Sequence, residues 1–314
     1  MNGLRLAEEY FFQHGLPMLD TKFGAYKYRI AAGLSGEGSE CYGFDDELSR
    51  DHDWGAAFCL WLEPEDYKAI GQELQKAYDE LPQSFMGFPK RIENPMVSGR
   101  IGVFSTPAFF RRLIGLDHVP ATLEEWKMIP EYQLAAATNG KVFYDPSGEF
   151  TSFRQGLKTY YPEDIRLKKI AARCMTMAQA GQYNAGRCLY HGEMLTARHA
   201  LSMFIESSIS MVFLLNKEFM PFYKWMHRAM KPLPILGGKL FDMLEKLSGI
   251  ACLSDNAMVS SALRMVEEIS ALVIEELKRQ NLSDSKSDFL FDHGPVVQMK
   301  IKTDWLRRMD VMRD

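Results

Sequence analysis

The chain has 314 residues and a formal net charge of −4, with 46% hydrophobic and 25% charged residues. This length allows two domains, and the composition is that of a soluble globular protein. The small net charge gives no sign of bulk attraction to nucleic acid or to a membrane. Apolar runs such as residues 211–215 are too short to span a bilayer, and acids lie in the first 15 residues where a signal peptide would be apolar. Five scattered cysteines without zinc-ligand spacing favour a reducing, cytoplasmic compartment.

The first half of the chain alternates between helical and strand patterns. In chain order, the sequence predicts helices over residues 4–14, 64–81 and 106–114, and strands over residues 26–34, 51–62, 100–105 and 142–144. The first helix is expected to end at Gly15-Leu16-Pro17, because proline does not continue a helix without disruption.

The second half has helical periodicity and no strand pattern of its own until the last residues. The predicted helices cover residues 162–182, 192–215, 221–230, 241–247 and 259–280, while residues 298–313 fit either a strand or a helix. The expected fold class is therefore α+β, with a mixed-sheet domain over residues 1–150 followed by a mainly helical bundle over residues 151–314.

Residues 37–53 contain seven carboxylates and a single arginine, Arg50. Asp51 and Asp53 stand two apart at the start of a predicted strand, so we expect them on one face, roughly 6.5–7 Å apart. Such a pair suits Mg²⁺, or Mn²⁺ in its place, because these ions take one or two carboxylates together with phosphate oxygens and water. Asp45 and Asp46 are assigned to solvation or helix capping.

The turn at Gly38-Ser39 follows the first predicted strand. Backbone N–H groups of a Gly/Ser turn at the end of a strand can receive phosphate, and a plain turn is the alternative. Taken alone, Gly38 and Ser39 favour the plain turn.

The order of these parts is a strand, a Gly-Ser turn, eleven residues, an Asp-x-Asp pair and an apolar strand. This order resembles the nucleotidyltransferase superfamily, which has a polymerase-β-like core. The longer string from Gly38 to Gly55 resembles a bacterial family of unknown function within it, whose members carry a helical domain behind the catalytic one. The resemblance covers most of residues 30–230, through the motifs Thr138-Asn139-Gly140, Tyr160-Tyr161-Pro162-Glu163-Asp164, Gln182-Tyr183-Asn184-Ala185-Gly186-Arg187, Leu215-Asn216-Lys217 and Pro221-Phe222-Tyr223-Lys224-Trp225.

This resemblance implies an enzyme that moves a nucleoside monophosphate from an NTP to a hydroxyl or phosphate of a small molecule or protein. Asp51 and Asp53 would be the catalytic metal ligands. Gly38 and Ser39 would hold the β- and γ-phosphates of a nucleoside triphosphate such as ATP. The superfamily usually adds a third carboxylate on a later strand, but the expected position here is Gly102. A catalytically degenerate module that binds nucleotide or a partner is therefore the alternative.

Three basic residues of the helical half are candidates for phosphate contacts: Arg187, Lys224 and Arg228. Arg187 is equally well explained by pairing with an acid, and Lys224 and Arg228 by a solvated helix face. We expect the acceptor to enter between the two domains, and we expect neither a long nucleic acid nor a membrane as partner.

Overall fold

The structure is a computed structural model that describes residues 1–50, 53–91, 99–250 and 256–314. The chain forms two compact units, Met1–Thr159 and Tyr160–Asp314, called here the N-terminal and C-terminal units. Helix Glu149–Lys158 spans the boundary expected at residue 150 and belongs to the N-terminal unit.

The N-terminal unit is built on a four-stranded mixed sheet. The strands of the unit are β1 (Ala31–Leu34), β2 (Cys59–Leu62), β3 (Ser84–Phe85), β4 (Phe88–Pro89), β5 (Gly102–Ser105) and β6 (Lys141–Tyr144). The order in the four-stranded sheet is β5-β2-β1-β6, with β1 antiparallel to β2 and β6 and with β2 parallel to β5. The helices of this unit are α1 (Gly3–Tyr10), α2 (Leu16–Lys22), α3 (Pro64–Asp79), α4 (Thr106–Ile114), α5 (Leu123–Met128), α6 (Glu131–Thr138) and α7 (Glu149–Lys158).

The predicted helices at 64–81 and 106–114 are confirmed, and local sequence explains their starts. Helix α3 has Pro64 in its first turn, followed by two acids that suit the positive end of the helix dipole. Helix α4 is capped by the Ser105 side chain, which accepts from the Ala108 N–H at 3.4 Å, and it ends at Gly115 with φ +78°.

Both faces of the sheet are covered, as strand β2 shows. Leu60 and Leu62 point into the cluster that α1 to α3 form on one face. Trp61 points to the other face, where its ring stacks on Phe150 with centroids 3.7 Å apart. The sheet therefore has a buried centre, and polar side chains that act on ligands must lie beyond its strand ends.

Two boundaries near the N-terminus differ from the sequence prediction. The helix expected to end at Gly15 continues through a π-helical turn, Phe11–Gly15, into α2. Pro17 lies at the start of α2, a position that proline tolerates better than a helix interior. The strand expected over residues 26–34 is shorter, since Lys27–Arg29 form a 3₁₀ turn before β1.

The C-terminal unit is helical throughout its described part, as predicted. Its helices are α8 (Glu163–Met177), α9 (Gly186–Tyr190), α10 (Met194–Asn216), α11 (Tyr223–Met230), α12 (Gly237–Ser248), α13 (Asn256–Arg279), α14 (His293–Met299) and α15 (Asp304–Arg307). The last two resolve the ambiguity at residues 298–313 in favour of helix. Together with the mixed sheet, this confirms the α+β fold class.

The polar motif that begins at Gln182 does not interrupt its helix. Residues Ala178–Ala185 form a π-helical stretch that joins α8 directly to α9. The Gln182 amide donates to Glu267 Oε2 at 2.7 Å and accepts from the Leu290 N–H at 2.9 Å. Gln182 thus links the π-helical stretch to α13 and to the backbone at Leu290.

Helix α10 is the one helix in the described part of the chain that is long and apolar enough to cross a membrane, with a mean hydropathy of 1.2. Its most apolar window is 67% buried inside the unit. This burial is typical of the central helix of a soluble domain, around which α8 and α9 pack.

Candidate functional site

The turn after β1 is held in place by Asn139, which follows α6. Its Oδ1 accepts from the Gly36 N–H at 3.0 Å and from Ser35 Oγ at 3.3 Å, while its Nδ2 donates to the Gly36 carbonyl at 2.6 Å. Gly36 has a φ of +141°, which strains any residue with a side chain. The backbone of the turn is therefore fixed from a residue about a hundred positions away.

Arg154 holds the backbone on both sides of Asn139. Its guanidinium donates to the carbonyls of Thr138 and Gly140 at 2.8 and 3.1 Å, at the end of α6. Burial lowers the pKa of Arg154, although an arginine stays charged at neutral pH. Arg154 thereby satisfies the Thr138 carbonyl, which lies at the end of α6 where carbonyls lack intrahelical partners.

Behind the turn lies a buried ion pair. Glu40 Oε1 accepts from Arg91 Nη1 at 2.6 Å, and both side chains are about 5–6% exposed. A Cβ on Gly38 would lie 2.2 Å from Glu40 Oε1, so Gly38 lets the backbone pass directly over this carboxylate. Ser39 begins a 3₁₀ turn, Ser39–Tyr42, that carries Glu40 inward.

In front of the turn, two further arginines meet the acids that the sequence singled out. Arg100 Nε lies 3.4 Å from Glu37 Oε2, and its Nη1 donates to Asp53 Oδ2 at 3.2 Å. Arg112, on α4, reaches the same Glu37 oxygen at 3.4 Å. Arg100 therefore joins the turn to Asp53, and the structure brings these two predicted parts of the site together.

The strand geometry expected for the Asp-x-Asp pair is wrong. Asp53 lies six residues before β2 and has a φ of +51°, in the left-handed region. Asp51 lies outside the described residues, so its distance from Asp53 stays a prediction. Residues 53–58 run irregularly, because Gly55 also has a positive φ and Ala56 forms an isolated bridge with Lys90.

Gly102, the expected position of the third carboxylate, requires glycine for two reasons. Its φ is +102°, and an added Cβ would lie 2.8 Å from Gln75 Oε1. The same Gln75 oxygen accepts from the Val103 N–H at 2.8 Å, so it is held where that Cβ would be. No acid at this position fits the fold, and no group of three or more His, Cys, Asp or Glu side chains suited to a metal occurs within the described ranges.

Asp45 and Asp46 have structural contacts, in line with the capping role that the sequence predicted for them. Asp45 Oδ2 accepts from the Gly3 N–H at 2.6 Å and from Trp54 Nε1 at 3.1 Å, so it seats the start of α1. A Cβ on Gly3 would lie 2.8 Å from Glu40 Cβ. Asp46 caps a 3₁₀ turn by accepting from the backbone N–H and the hydroxyl of Ser49 at 3.0 Å.

The described residues near the turn line a small cavity and a larger one. The smaller has a volume of about 10 Å³ and is lined by the turn backbone with Glu37, Arg91, Arg100 and Arg112. The larger, about 410 Å³, is lined by Gln75, Tyr78, Asp79, Gln83, Lys90, Arg91, Gly99, Ile101 and Phe104. Arg91 contacts both, and the larger has the size of a small-molecule site.

Cys41 lies beside the smaller cavity but is no nucleophile. It is buried, and burial foremost raises the pKa of its thiol well above the usual range. A neutral, enclosed thiol is inert, because the thiolate is the reactive form.

The three basic candidates of the C-terminal unit are exposed. Arg187 lies over the ring of Tyr183 at 5.0 Å from its centroid, and Lys224 lies over the ring of Trp225 at 4.9 Å. Arg228 is on the same exposed side of α11 as Lys224, four residues further along. Their assignment to phosphate binding stays a prediction.

Sequence reasoning missed the residues that surround the turn: Asn139, Arg91, Arg100 and Arg112. Asn139 had a signal, because it lies in the Thr138-Asn139-Gly140 motif on which the resemblance rests. The arginines had none, since Arg91 contacts Glu40 across 51 positions and Arg112 contacts Glu37 across 75.

Comparison with known proteins gives limited matches. Residues 126–226 match a domain of unknown function (DUF4037), a range that contains Asn139 and Arg187 but not the Gly38-Ser39 turn. A crystal structure of a nucleotidyltransferase-like protein from Exiguobacterium sibiricum 255-15 is similar, with 11% identity and a TM-score of 0.37, over 86% of this chain and 81% of that chain. Likeness at that level does not establish a shared fold. No curated protein matches the chain.

Proposed function

We propose that this chain is a Mg²⁺-dependent nucleotidyltransferase of the polymerase-β-like superfamily. The observation that carries the proposal is the convergence, at the end of β1, of a pinned Gly/Ser turn, three arginines and Asp53. Cations and turn amides suit polyphosphate, and a carboxylate joined to them through Arg100 suits the metal that accompanies it.

The reaction would be an in-line transfer. The acceptor oxygen forms a bond to the α-phosphorus of an NTP, the bond from that phosphorus to the bridging oxygen breaks, and pyrophosphate leaves. The acceptor loses its proton to solvent or to a base. The turn at Gly38-Ser39 and the nearby arginines would hold the departing β- and γ-phosphates, and hence favour the charge that develops on them.

The described residues fit a Mg²⁺ site in part. Asp53 supplies one carboxylate, whose Oδ2 accepts from Arg100 and whose side chain is 20% exposed, and Asp51 would supply the second. When bound with nucleotide, the ion would activate the attacking oxygen and neutralise phosphate charge. Arg100 would hold Asp53 until then and afterwards turn to phosphate.

A second candidate function, nucleotide binding without transfer, has an observation of its own. Gly102 cannot carry the carboxylate that commonly assists deprotonation of the attacking hydroxyl. Loss of a general base costs roughly 10²–10⁴-fold in rate. Binding by the turn and the arginines would survive that loss.

The partners of either function follow the sequence prediction. Arg187, Lys224 and Arg228 would add phosphate contacts from the C-terminal unit. The acceptor would be a small molecule or a protein side chain rather than a long nucleic acid, and the compartment would be the cytoplasm.

Incubation with each NTP and Mg²⁺ or Mn²⁺, followed by a pyrophosphate assay, tests the proposal. Wild type should release pyrophosphate, and Asp53→Asn or Asp51→Asn should reduce the rate by about 10²-fold or more, because each removes a metal ligand. Asp46→Asn is the matched control, since it removes a charge from the same loop but keeps the Oδ1 cap to Ser49.

The results separate the two candidates. Nucleotide binding without pyrophosphate release from wild type would favour the binding module. Absence of both would refute the assignment of this site to nucleotides.

A further inference from the structure

We propose that Arg100 and Arg112 bind the terminal phosphates of the nucleotide, and that Glu37 occupies their guanidinium groups until the nucleotide arrives. This inference rests on the proposed function, which places the nearby arginines at the departing phosphates but assigns no role to Glu37. Glu37, a residue of the turn, would then compete with the nucleotide phosphates for the two arginines.

The contacts of Glu37 are those of a displaceable group. Both arginines approach the same oxygen, Oε2, each at 3.4 Å, and the Glu37 side chain is 45% exposed. Charge-assisted hydrogen bonds to a carboxylate usually measure about 2.7–2.9 Å. One carboxylate oxygen shared by two donors at these distances is held weakly, so a ligand with more negative charge can displace it.

The neighbouring ion pair, Glu40–Arg91, is short and buried. Glu40 and Arg91 meet at 2.6 Å and are almost fully buried, so this pair is part of the framework. Two acids of one turn thus differ: Glu40 is enclosed beneath the backbone, and Glu37 lies at the mouth over Arg100 and Arg112. The Glu37 side chain is 45% exposed and the two arginine side chains are 26% and 29% exposed, so water screens these contacts more than it screens the Glu40–Arg91 pair.

The space beside the turn fits this exchange. The cavity bounded by the turn and the arginines holds about 10 Å³, roughly room for one water molecule. A phosphate group can enter only if the Glu37 side chain swings out, which its exposure allows. The position it vacates lies between two guanidinium groups and the turn backbone.

Phosphate suits this position better than the carboxylate does. Its oxygens point in several directions, so each planar guanidinium can donate two parallel hydrogen bonds to it. Because Arg100 also contacts Asp53, a bound phosphate would draw Arg100 away from the carboxylate that the metal needs.

The test is calorimetry of wild type and three variants, Arg112→Gln, Glu37→Gln and Arg111→Gln, with inorganic pyrophosphate, ATP and AMP as ligands. Arg111 is the matched control, because it precedes Arg112 on α4 but is 63% exposed and pairs with Asp117. We expect Arg112→Gln to weaken pyrophosphate and ATP at least about tenfold, since it removes a charged donor. AMP, which lacks the terminal phosphates, should be unaffected, and Arg111→Gln should behave as wild type.

Glu37→Gln should bind pyrophosphate several-fold more tightly than wild type, because it removes the competing charge. The inference is overturned if Arg112→Gln and Arg111→Gln bind pyrophosphate alike, if AMP is weakened as much as ATP, or if Glu37→Gln binds more weakly. Thermal unfolding of each variant checks that it is folded.

The outcomes distinguish this inference from the proposed function. Turnover of NTP by wild type with unchanged KM and pyrophosphate affinity in Arg112→Gln would sink the inference alone. Pyrophosphate binding with the expected dependence on Arg112 and Glu37, but without turnover, would support the inference and refute the transferase.

Discussion

Replacing Glu40 with glutamine should destabilise the N-terminal unit by about 3–5 kcal/mol, because it leaves the Arg91 guanidinium buried without its counter-charge. The structure places this cost at the high end of ion-pair effects, since both side chains are about 5–6% exposed and the contact is 2.6 Å. Glutamine keeps the size of the side chain, so no cavity contributes.

Hydrogen exchange of peptides that cover β1 and β2 would measure the loss. At about 1.4 kcal/mol per tenfold, slow amides there should exchange roughly two to three and a half orders of magnitude faster. Glu37→Gln, the exposed acid of the same turn, should change exchange by less than about fivefold.

The double variant Glu40→Leu with Arg91→Met should recover most of the loss, because apolar side chains of similar size can replace a buried pair. An acceleration below about tenfold in Glu40→Gln would refute the reasoning. It would mean that water reaches the pair and screens it.

Three further predictions concern the same unit. Asn139→Ala should lower the free energy of unfolding, measured with denaturant, by about 2–4 kcal/mol, because the turn loses its side-chain hydrogen bonds. It should also weaken pyrophosphate binding; an unchanged affinity would show that the turn keeps its conformation without Asn139. Burial, then the hydrogen bond to Glu149, raises the pKa of Glu63 from 4.5 to about 7. Its protonated form is thus favoured in the folded state, so stability should fall as pH rises from about 4.5 to 7, and Glu63→Gln should flatten this part of the profile. Gly102→Asp should destabilise the unit by about 1–3 kcal/mol, since the Cβ of the new aspartate strains the backbone and meets Gln75. Its rate of pyrophosphate release should be no higher than that of wild type, and a higher rate would contradict this prediction.

The sequence predicted the parts of the fold that local patterns determine. The α+β class, the helices that begin at Pro64 and Thr106, and the long helices of the second half follow from periodicity and capping. These signals lie within a few residues of one another, so they can be seen without a structure.

The site was predictable only where a motif encodes it. The turn at Gly38-Ser39 and the acid at Asp53 were named, and the structure joins them through Arg100; their roles stay predictions. Of the strand expected over residues 51–62, the structure shows Cys59–Leu62, because left-handed backbone at Asp53 and Gly55 leaves no mark in hydrophobic patterning. Likewise, the contacts of Arg100 and Arg112 depend on tertiary folding and not on spacing.

The seating of helix α1 on the acidic loop has a practical consequence. Asp45 accepts a hydrogen bond from the Gly3 N–H, and Glu40 leaves no room for a side chain at Gly3. Arg50 donates to the Met1 carbonyl at 3.3 Å. The first residues thus brace the loop that carries Asp53. An affinity tag fused ahead of Met1 would join the chain directly beside these contacts, so the tagged and the cleaved protein should be compared before any nucleotide affinity is interpreted.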